Sequence, residues 1–223
     1  MDDIIKDNWE VLSKCEILKD ITNADMCPLF SCLNFYIKEY QKNDFIFNDN
    51  STIDNVGIVL NGQVQMQKED FFGNKTIMTV ISETELFGET FASLQDSSST
   101  VSFIASKDSK ILFLPYKQVL RTCEMNCSFH HQLIENMVQV IAKKNLQLMN
   151  KIEVTSKKSL REKILSYLSS EANKSDSVYF EIPMGRLELA DYLCANRSAL
   201  TRELNKMQEE DIIDFDKNVF KLK

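Results

Sequence analysis

Between residues 35 and 115 the chain alternates apolar and polar positions in short runs: FYIKEY at 35–40, DFIF at 44–47, VGIVL at 56–60, QVQMQ at 63–67, TIMTVI at 76–81, TVSFIA at 100–105 and KILFLP at 110–115. Runs this short, rich in Val, Ile and Phe and separated by polar turns, predict an antiparallel sandwich or barrel. Two helical patterns precede them, near 7–15 and 24–33. Four of the five glycines, Gly57, Gly62, Gly73 and Gly88, fall in this part. Asn61-Gly62 reads as a tight hairpin, which needs positive φ, and Gly73-Asn74 as another turn. Gly57, Gly62 and Gly73 are expected to be turn formers.

The period then changes. Residues 116–155 form one long helical pattern without Gly or Pro. A seven-residue repeat places His131, Val138, Asn145 and Ile152 in one set and Ile134, Ile141 and Leu148 in the other. β-Branched residues with one Asn among them suit a parallel two-stranded coiled coil, in which Asn pairs with its symmetry mate and fixes register. Leu133, Met137 and Val140 make a second apolar face, suited to packing on the β domain. A helix buried within one subunit would also account for both faces, although Asn145 is costly in a monomer core.

From 157 the chain is helical, then briefly extended. LREKILSYLSSEA at 160–172 leads through the loop NKSDS to a short strand, VYFEI, at 178–182. After Pro183, MGRLELADYL, the turn Cys194-Ala195-Asn196 and RSALTRELNKMQEED spell a helix–turn–helix, with Asn196 as N-cap. Ala190 lets the two helices approach, and Leu189, Leu193 and Leu200 would form their shared core. Arg197, Ser198, Thr201 and Arg202 project outward. Arg bonds guanine bidentately, and Ser or Thr bonds a base edge or phosphate. The competing reading is an ordinary helical hairpin whose Arg202, Glu203, Lys206 and Glu210 are surface ion pairs. The hairpin IIDFDKNVFKLK adds a wing. Cys194 stands where glycine often eases the turn.

Composition bounds the function. Residues 1–156 hold 14 Lys and Arg against 21 Asp and Glu, the whole of the net −7, whereas residues 157–223 hold 12 against 12. A pI near 5.0 argues against indiscriminate nucleic-acid binding and leaves room for a local basic face. No apolar run approaches the roughly 20 residues of a membrane span. The acidic start, MDDIIKDNWE, lacks the basic head and apolar centre of a secretory signal, so a cytoplasmic location is expected. No phosphate-binding glycine loop, HExxH or GxSxG occurs, and an enzyme is not expected. The expected divisions are a sensing β domain at 1–125, a dimerisation helix and hinge at 126–156, and a winged-helix domain at 157–223.

This order of parts resembles the cyclic-AMP receptor/fumarate–nitrate regulator (Crp/Fnr) family of bacterial transcription factors. The resemblance is carried by VGIVLNGQVQMQ at 56–67, LFGETFA at 86–92, LREKILSYL at 160–168 and RLELADYLCANRSALTREL at 186–204. It implies an α+β protein with an N-terminal antiparallel β-barrel or jelly-roll domain of cyclic-nucleotide-binding type, a long dimerisation helix and a C-terminal winged helix–turn–helix. The implied partners are a two-fold double-stranded DNA operator, a second copy of the chain and RNA polymerase. Matched to the family's recognition helix, Arg197, Ser198 and Arg202 fall on base-contacting positions and Thr201 on a further contact. Arg186 and Asn196 fall near the phosphate backbone. Ser198 replaces a frequent Glu, so the operator cannot be copied from familiar members.

The effector pocket departs from the family. Gly88-Glu89 is present, but Ser99-Thr100 occupies the place of the Arg-Ser pair that neutralises a cyclic phosphate. A buried phosphate facing Glu89 with no cation costs several kcal/mol. Cyclic AMP is therefore not the expected effector, and the pocket takes another ligand or none. Gly88-Glu89 as a turn glycine and a solvated carboxylate is the plainer alternative. Cys15, Cys27 and Cys32 are spaced unlike a cluster-binding trio. Cys123, Cys127 and His130 would share a helix face suited to zinc or haem, against the plainer reading of buried cysteines and a coiled-coil histidine. No resident metal or cofactor is expected. A protein-only signalling module and a haem or metal sensor are the alternatives to a DNA-binding regulator.

Overall fold

The computed structural model describes residues 2–94, 98–121 and 128–223. The chain forms two compact units, Met1–Ala142 and Lys143–Lys223.

In the first unit, three short helices, α1 (Asp2–Asp7), α2 (Trp9–Leu12) and α3 (Asn23–Leu33), precede the strands, with a 3-10 turn at Glu16–Leu18. The Thr22 hydroxyl caps α3 by accepting from the Asp25 N–H at 3.3 Å. The strands are β1 (Tyr36–Tyr40), β2 (Phe45–Phe47), β3 (Asn55–Asn61), β4 (Val64–Glu69), β5 (Lys75–Ile81), β6 (Leu86–Phe87), β7 (Ser102–Ala105) and β8 (Ser109–Pro115). They make two antiparallel sheets, ordered β1-β8-β3-β6 and β2-β7-β4-β5. Val59, Val64, Phe87, Phe103, Ile111 and Phe113 fill a core with residues from both sheets. Val56, Ile58, Leu60, Leu112 and Leu114 share a second core with the helices. Central strand β3 is thus covered on both sides, which is why it reads as a continuous apolar run.

Each expected strand is present, and β6, too short to show a period, adds to them. The topology corrects two glycine expectations. Gly62 has φ +92°, as expected, but β3 and β4 belong to different sheets, so Asn61-Gly62 turns a corner and is not a hairpin. Gly57 lies inside β3, opposite Phe87, and is no turn former. The β4–β5 hairpin turns at Gly73 instead, with φ +82°.

The single helix expected over 116–155 is interrupted. Helix α5 (Tyr116–Leu120) ends where Arg121 turns extended, and α6 spans Ser128–Thr155. In the first unit Leu133, Met137 and Val140 of α6 are buried in the helical core, as the second apolar face predicted. Val138, Ile141, Leu148 and Ile152 are exposed.

The second unit contains α7 (Leu160–Ser175), β9 (Tyr179–Glu181), α8 (Arg186–Tyr192), α9 (Arg197–Glu209), β10 (Ile213–Asp216) and β11 (Val219–Leu222). Ser159 and Glu162 close a reciprocal capping box that starts α7. The helix runs past Ala172 into the expected loop and stops at Asp176, with φ +47°. The predicted wing is a three-stranded sheet, ordered β10-β11-β9. Among the described residues no helix is long and apolar enough to cross a membrane.

Candidate nucleic-acid interface and effector pocket

Helices α8 and α9 meet through Leu189, Ala190, Leu193 and Leu200, each at most 1% exposed. Ala190 is the small contact that lets the helices close together. Cys194 adopts φ +52° in the turn, the left-handed conformation that glycine enters at lower cost. Asn196 then caps α9: its side-chain oxygen accepts from the Ser198 N–H at 2.9 Å and from the Ser198 hydroxyl at 2.6 Å. Asn196 is thereby committed to the helix start, and the Ser198 proton is already engaged. The Thr201 hydroxyl donates back to the Arg197 carbonyl at 3.0 Å. Leu200, Leu204 and Met207 are buried, so Ser198, Thr201 and Arg202 turn away from them and are exposed, and Arg197, on the same stripe as Leu200 but at the helix start, is exposed as well.

The ion pairs favour that face as functional. Glu203 and Glu210 pair with Arg161 of α7, and not with Arg202: Nε–Oε1 is 2.5 Å to Glu203 and Nη1–Oε2 is 2.5 Å to Glu210. Lys206 stands 3.9 Å from Glu210. Hydrogen bonds from the guanidinium hold the Glu210 carboxyl below the usual carboxylate range. Lys163 donates to the Leu193 carbonyl at 3.3 Å, at the end of α8. The first turn of α7 therefore grips both helices of the motif. Arg161 was not singled out in the sequence, because its partners lie 42 and 49 residues away and leave no local pattern.

Arg186, expected near the phosphate backbone, sits at the start of α8 against the wing. Its guanidinium lies 5.0 Å from the centroid of Phe215 and 5.8 Å from that of Phe220. It donates to the Lys217 carbonyl at 3.0 Å.

In the β unit, Gly88 has φ +83° and precedes the short helix α4 (Glu89–Ala92). A Cβ there would lie 3.2 Å from the Asn55 carbonyl oxygen, so this glycine is needed by the turn itself. Glu89 is 6% exposed, which corrects the picture of a solvated carboxylate. Ser99 is fully buried, and its hydroxyl donates to the Val101 carbonyl at 2.6 Å while accepting from the Val101 N–H at 3.2 Å. Its hydroxyl is thus occupied by the backbone of Val101, and Thr100 is exposed. No Lys or Arg occurs from Gly88 to Val101. These residues do not fit a cyclic phosphate.

On α6, His131 and Asn145 are exposed and Ile134 is half-buried. Asn136, missed in the sequence, is buried and donates to the carbonyls of Ile17 at 3.0 Å and Lys19 at 2.7 Å. It ties α6 to the N-terminal helices of the same unit. Cys123 and Cys127 lie outside the described residues, as does the side chain of Cys27. His130 is buried, and burial pushes its pKa below the usual histidine value. Among the described residues no group of His, Cys, Asp and Glu is placed to hold a metal. Burial pushes the Cys15 thiol up to about 12, whereas Cys32 and Cys194 are exposed.

An antiparallel β unit, a long helix and a winged helix–turn–helix together define the architecture of a DNA-binding regulator. The comparisons give the family. A cyclic nucleotide-binding domain model matches residues 37–126, and a Crp-like helix-turn-helix domain model matches residues 162–222. The chain belongs to the Crp/Fnr family of DNA-binding transcription regulators, which are not enzymes. No curated protein matches it in sequence. Among solved structures the fold is shared with the c-di-GMP-responsive global regulator CLP of Xanthomonas campestris, at 14% identity and TM-score 0.57, covering 90% of this chain and 99% of that one. The sensor domain of DNR from Pseudomonas aeruginosa matches at 14% identity and TM-score 0.52, covering 71% and 98%. FixK2 of Bradyrhizobium japonicum matches at 17% identity and TM-score 0.50, covering 85% and 92%.

Proposed function

We propose that the protein is a cytoplasmic homodimeric regulator that reads a two-fold operator with α9, works with RNA polymerase, and answers an effector other than cyclic AMP. The observation that carries the DNA reading is the sorting of charge on α9. Glu203 of the helix and Glu210 at its C-cap are held by Arg161, while Arg197 at the helix start and Arg202 on the face away from the buried leucines remain exposed, with Glu209 exposed at the far end. Arg202 lies further into the helix than Arg197 and is assigned to base readout. Arg197, beside the Asn196 cap, serves base or backbone. Ser198 and Thr201 are assigned to contacts beside them.

The dimer reading rests on α6, whose exposed Val138, Ile141, Leu148 and Ile152 follow the seven-residue repeat with Asn145. Four large apolar side chains in register on one helix face suit a second copy of the same helix. The effector reading rests on the occupied Ser99 hydroxyl and the missing cation between Gly88 and Val101. CLP, of the same fold, is described as responding to c-di-GMP, so this architecture accommodates other ligands.

The test is operator selection from random DNA, followed by Arg202→Ala against the selected site and its single-base variants. Loss of roughly 1–3 kcal/mol per half-site with relaxed preference at one base pair supports base readout. A uniform loss with unchanged preference makes Arg202 a phosphate clamp, and recovery of no sequence refutes the regulator reading.

A further inference from the structure

The wing turn is held by its carbonyls. The β10–β11 strands pair up to Asp216 and Val219, leaving Lys217 and Asn218 as the turn. The Asn218 carbonyl accepts from the Ile182 N–H at 2.9 Å. The Lys217 carbonyl accepts from Arg186 Nη2 at 3.0 Å. Both turn carbonyls are thus fastened to the segment 182–186 that leads into α8. The Arg186 guanidinium also covers the stacked pair Phe215 and Phe220, whose centroids are 5.6 Å apart and whose residues face each other across the two strands. Lys217 itself has φ +52° and is exposed at the tip.

We propose that Arg186 is a positioning residue that clasps the wing, and that the phosphate contact of this region is made by Lys217, which the clasp presents. The planar guanidinium does two things that an ammonium cannot do together: it stacks on an aromatic pair and directs a fixed N–H at one carbonyl. With its guanidinium carbon over the two rings and Nη2 committed to Lys217, Arg186 is occupied by the wing. The Lys217 side chain carries a full charge, and its left-handed backbone is the conformation the clasp fixes. Pinning the turn before DNA arrives lowers the ordering cost of the contact. This assignment rests on the DNA-binding reading for Lys217, and on geometry alone for Arg186.

The experiment compares Arg186→Lys, Arg186→Gln and Lys217→Gln in the full chain. Amide exchange of residues 217–219 in the free protein judges the clasp without DNA. Both Arg186 variants should exchange there about tenfold faster or more, and Lys217→Gln should not. Wild-type protection in Arg186→Lys overturns the clasp. Operator affinity against salt judges the phosphate contact. Lys217→Gln should reduce the slope of log K against log salt by about 0.9 per half-site, whereas Arg186→Lys, which keeps its charge, should bind as weakly as Arg186→Gln. If Arg186→Lys binds like wild type and only Arg186→Gln loses slope, Arg186 is itself the phosphate ligand and the proposal fails. A wild-type protein that selects no duplex refutes the regulator reading and the Lys217 contact, while the exchange result still decides the clasp.

Discussion

Replacing Gly57 by Ala should destabilise the β unit by about 2 kcal/mol, and the Phe87 ring is the cause. Gly57 stands opposite Phe87 in the β3–β6 ladder, and the ring folds across it. A Cβ on residue 57 would lie 2.4 Å from Phe87 Cζ and 2.5 Å from Cε1. Comfortable carbon contacts begin near ~3.5 Å, so the ring must retreat by about 1 Å. It has nowhere to retreat: Phe87 is 1% exposed and its centroid lies 5.3 Å from that of Phe103 and 6.0 Å from that of Phe47. Overpacking of this kind costs about 1–3 kcal/mol. The sole tryptophan, Trp9, packs on the helical core of this unit and reports its unfolding by fluorescence. At a urea slope of ~2 kcal/mol per M, the midpoint should fall by about 1 M. Phe87→Leu removes the obstructing ring, so the double variant should be at least 1 kcal/mol more stable than the sum of the single losses implies. An unchanged midpoint in Gly57→Ala, or strictly additive losses, would refute the close-approach argument.

Other outcomes follow from single contacts. Arg161→Gln should weaken operator binding and lower the melting temperature of the winged-helix unit, read by calorimetry and gel shift, because Glu203 and Glu210 lose their partner. The Glu162 and Glu210 carboxyls are depressed in the folded state, so their contribution is complete at neutral pH and is lost as pH falls below the usual carboxylate range; acid titration of wild type against Glu210→Gln checks the sign. Cys194→Gly should raise stability by up to about 1 kcal/mol in urea, and Cys194→Val should lower it, because φ is +52° at that exposed site. Val138→Asp should convert a micromolar dimer to monomer in equilibrium sedimentation; a wild type that is already monomeric at that concentration rejects the dimer.

The elements legible in the sequence were those whose burial follows a period. The β strands, the second face of α6 and the helix–turn–helix core at Leu189, Ala190, Leu193 and Leu200 all repeat within a few residues, and each lies where its spacing places it. What did not show was made by contacts distant in sequence. Gly57 looked like a turn residue because its reason, the Phe87 ring, is 30 positions away. Asn61-Gly62 had the chemistry of a hairpin, yet tertiary pairing sent its two strands to different sheets. Arg161 and Asn136 act on Glu210 and Ile17 through folding alone. Arg186 likewise meets the wing turn 31 residues on, a contact that leaves no local pattern.

The acidity of the chain bears on how it approaches DNA. The net −7 lies in residues 1–156, and the remainder is neutral. Within that remainder Glu171 pairs with Lys174, Glu210 with Arg161, and Asp211 with Lys223, whereas Arg197, Arg202 and Lys217 are exposed. At physiological salt the screening length is ~8 Å, so phosphates sense mainly the side chains they touch. Affinity should then rise as salt falls, at about 0.9 per phosphate neutralised. At 0.01 M salt the screening length is ~30 Å, and the acidic residues of the rest of the chain repel the duplex as well. The plot of log K against log salt should therefore be linear near 0.1–0.2 M and flatten towards 0.01 M, as measured by fluorescence anisotropy on the selected operator. A plot that stays linear down to 0.01 M would show that the acidic part exerts no long-range repulsion and that the interface alone sets the electrostatics.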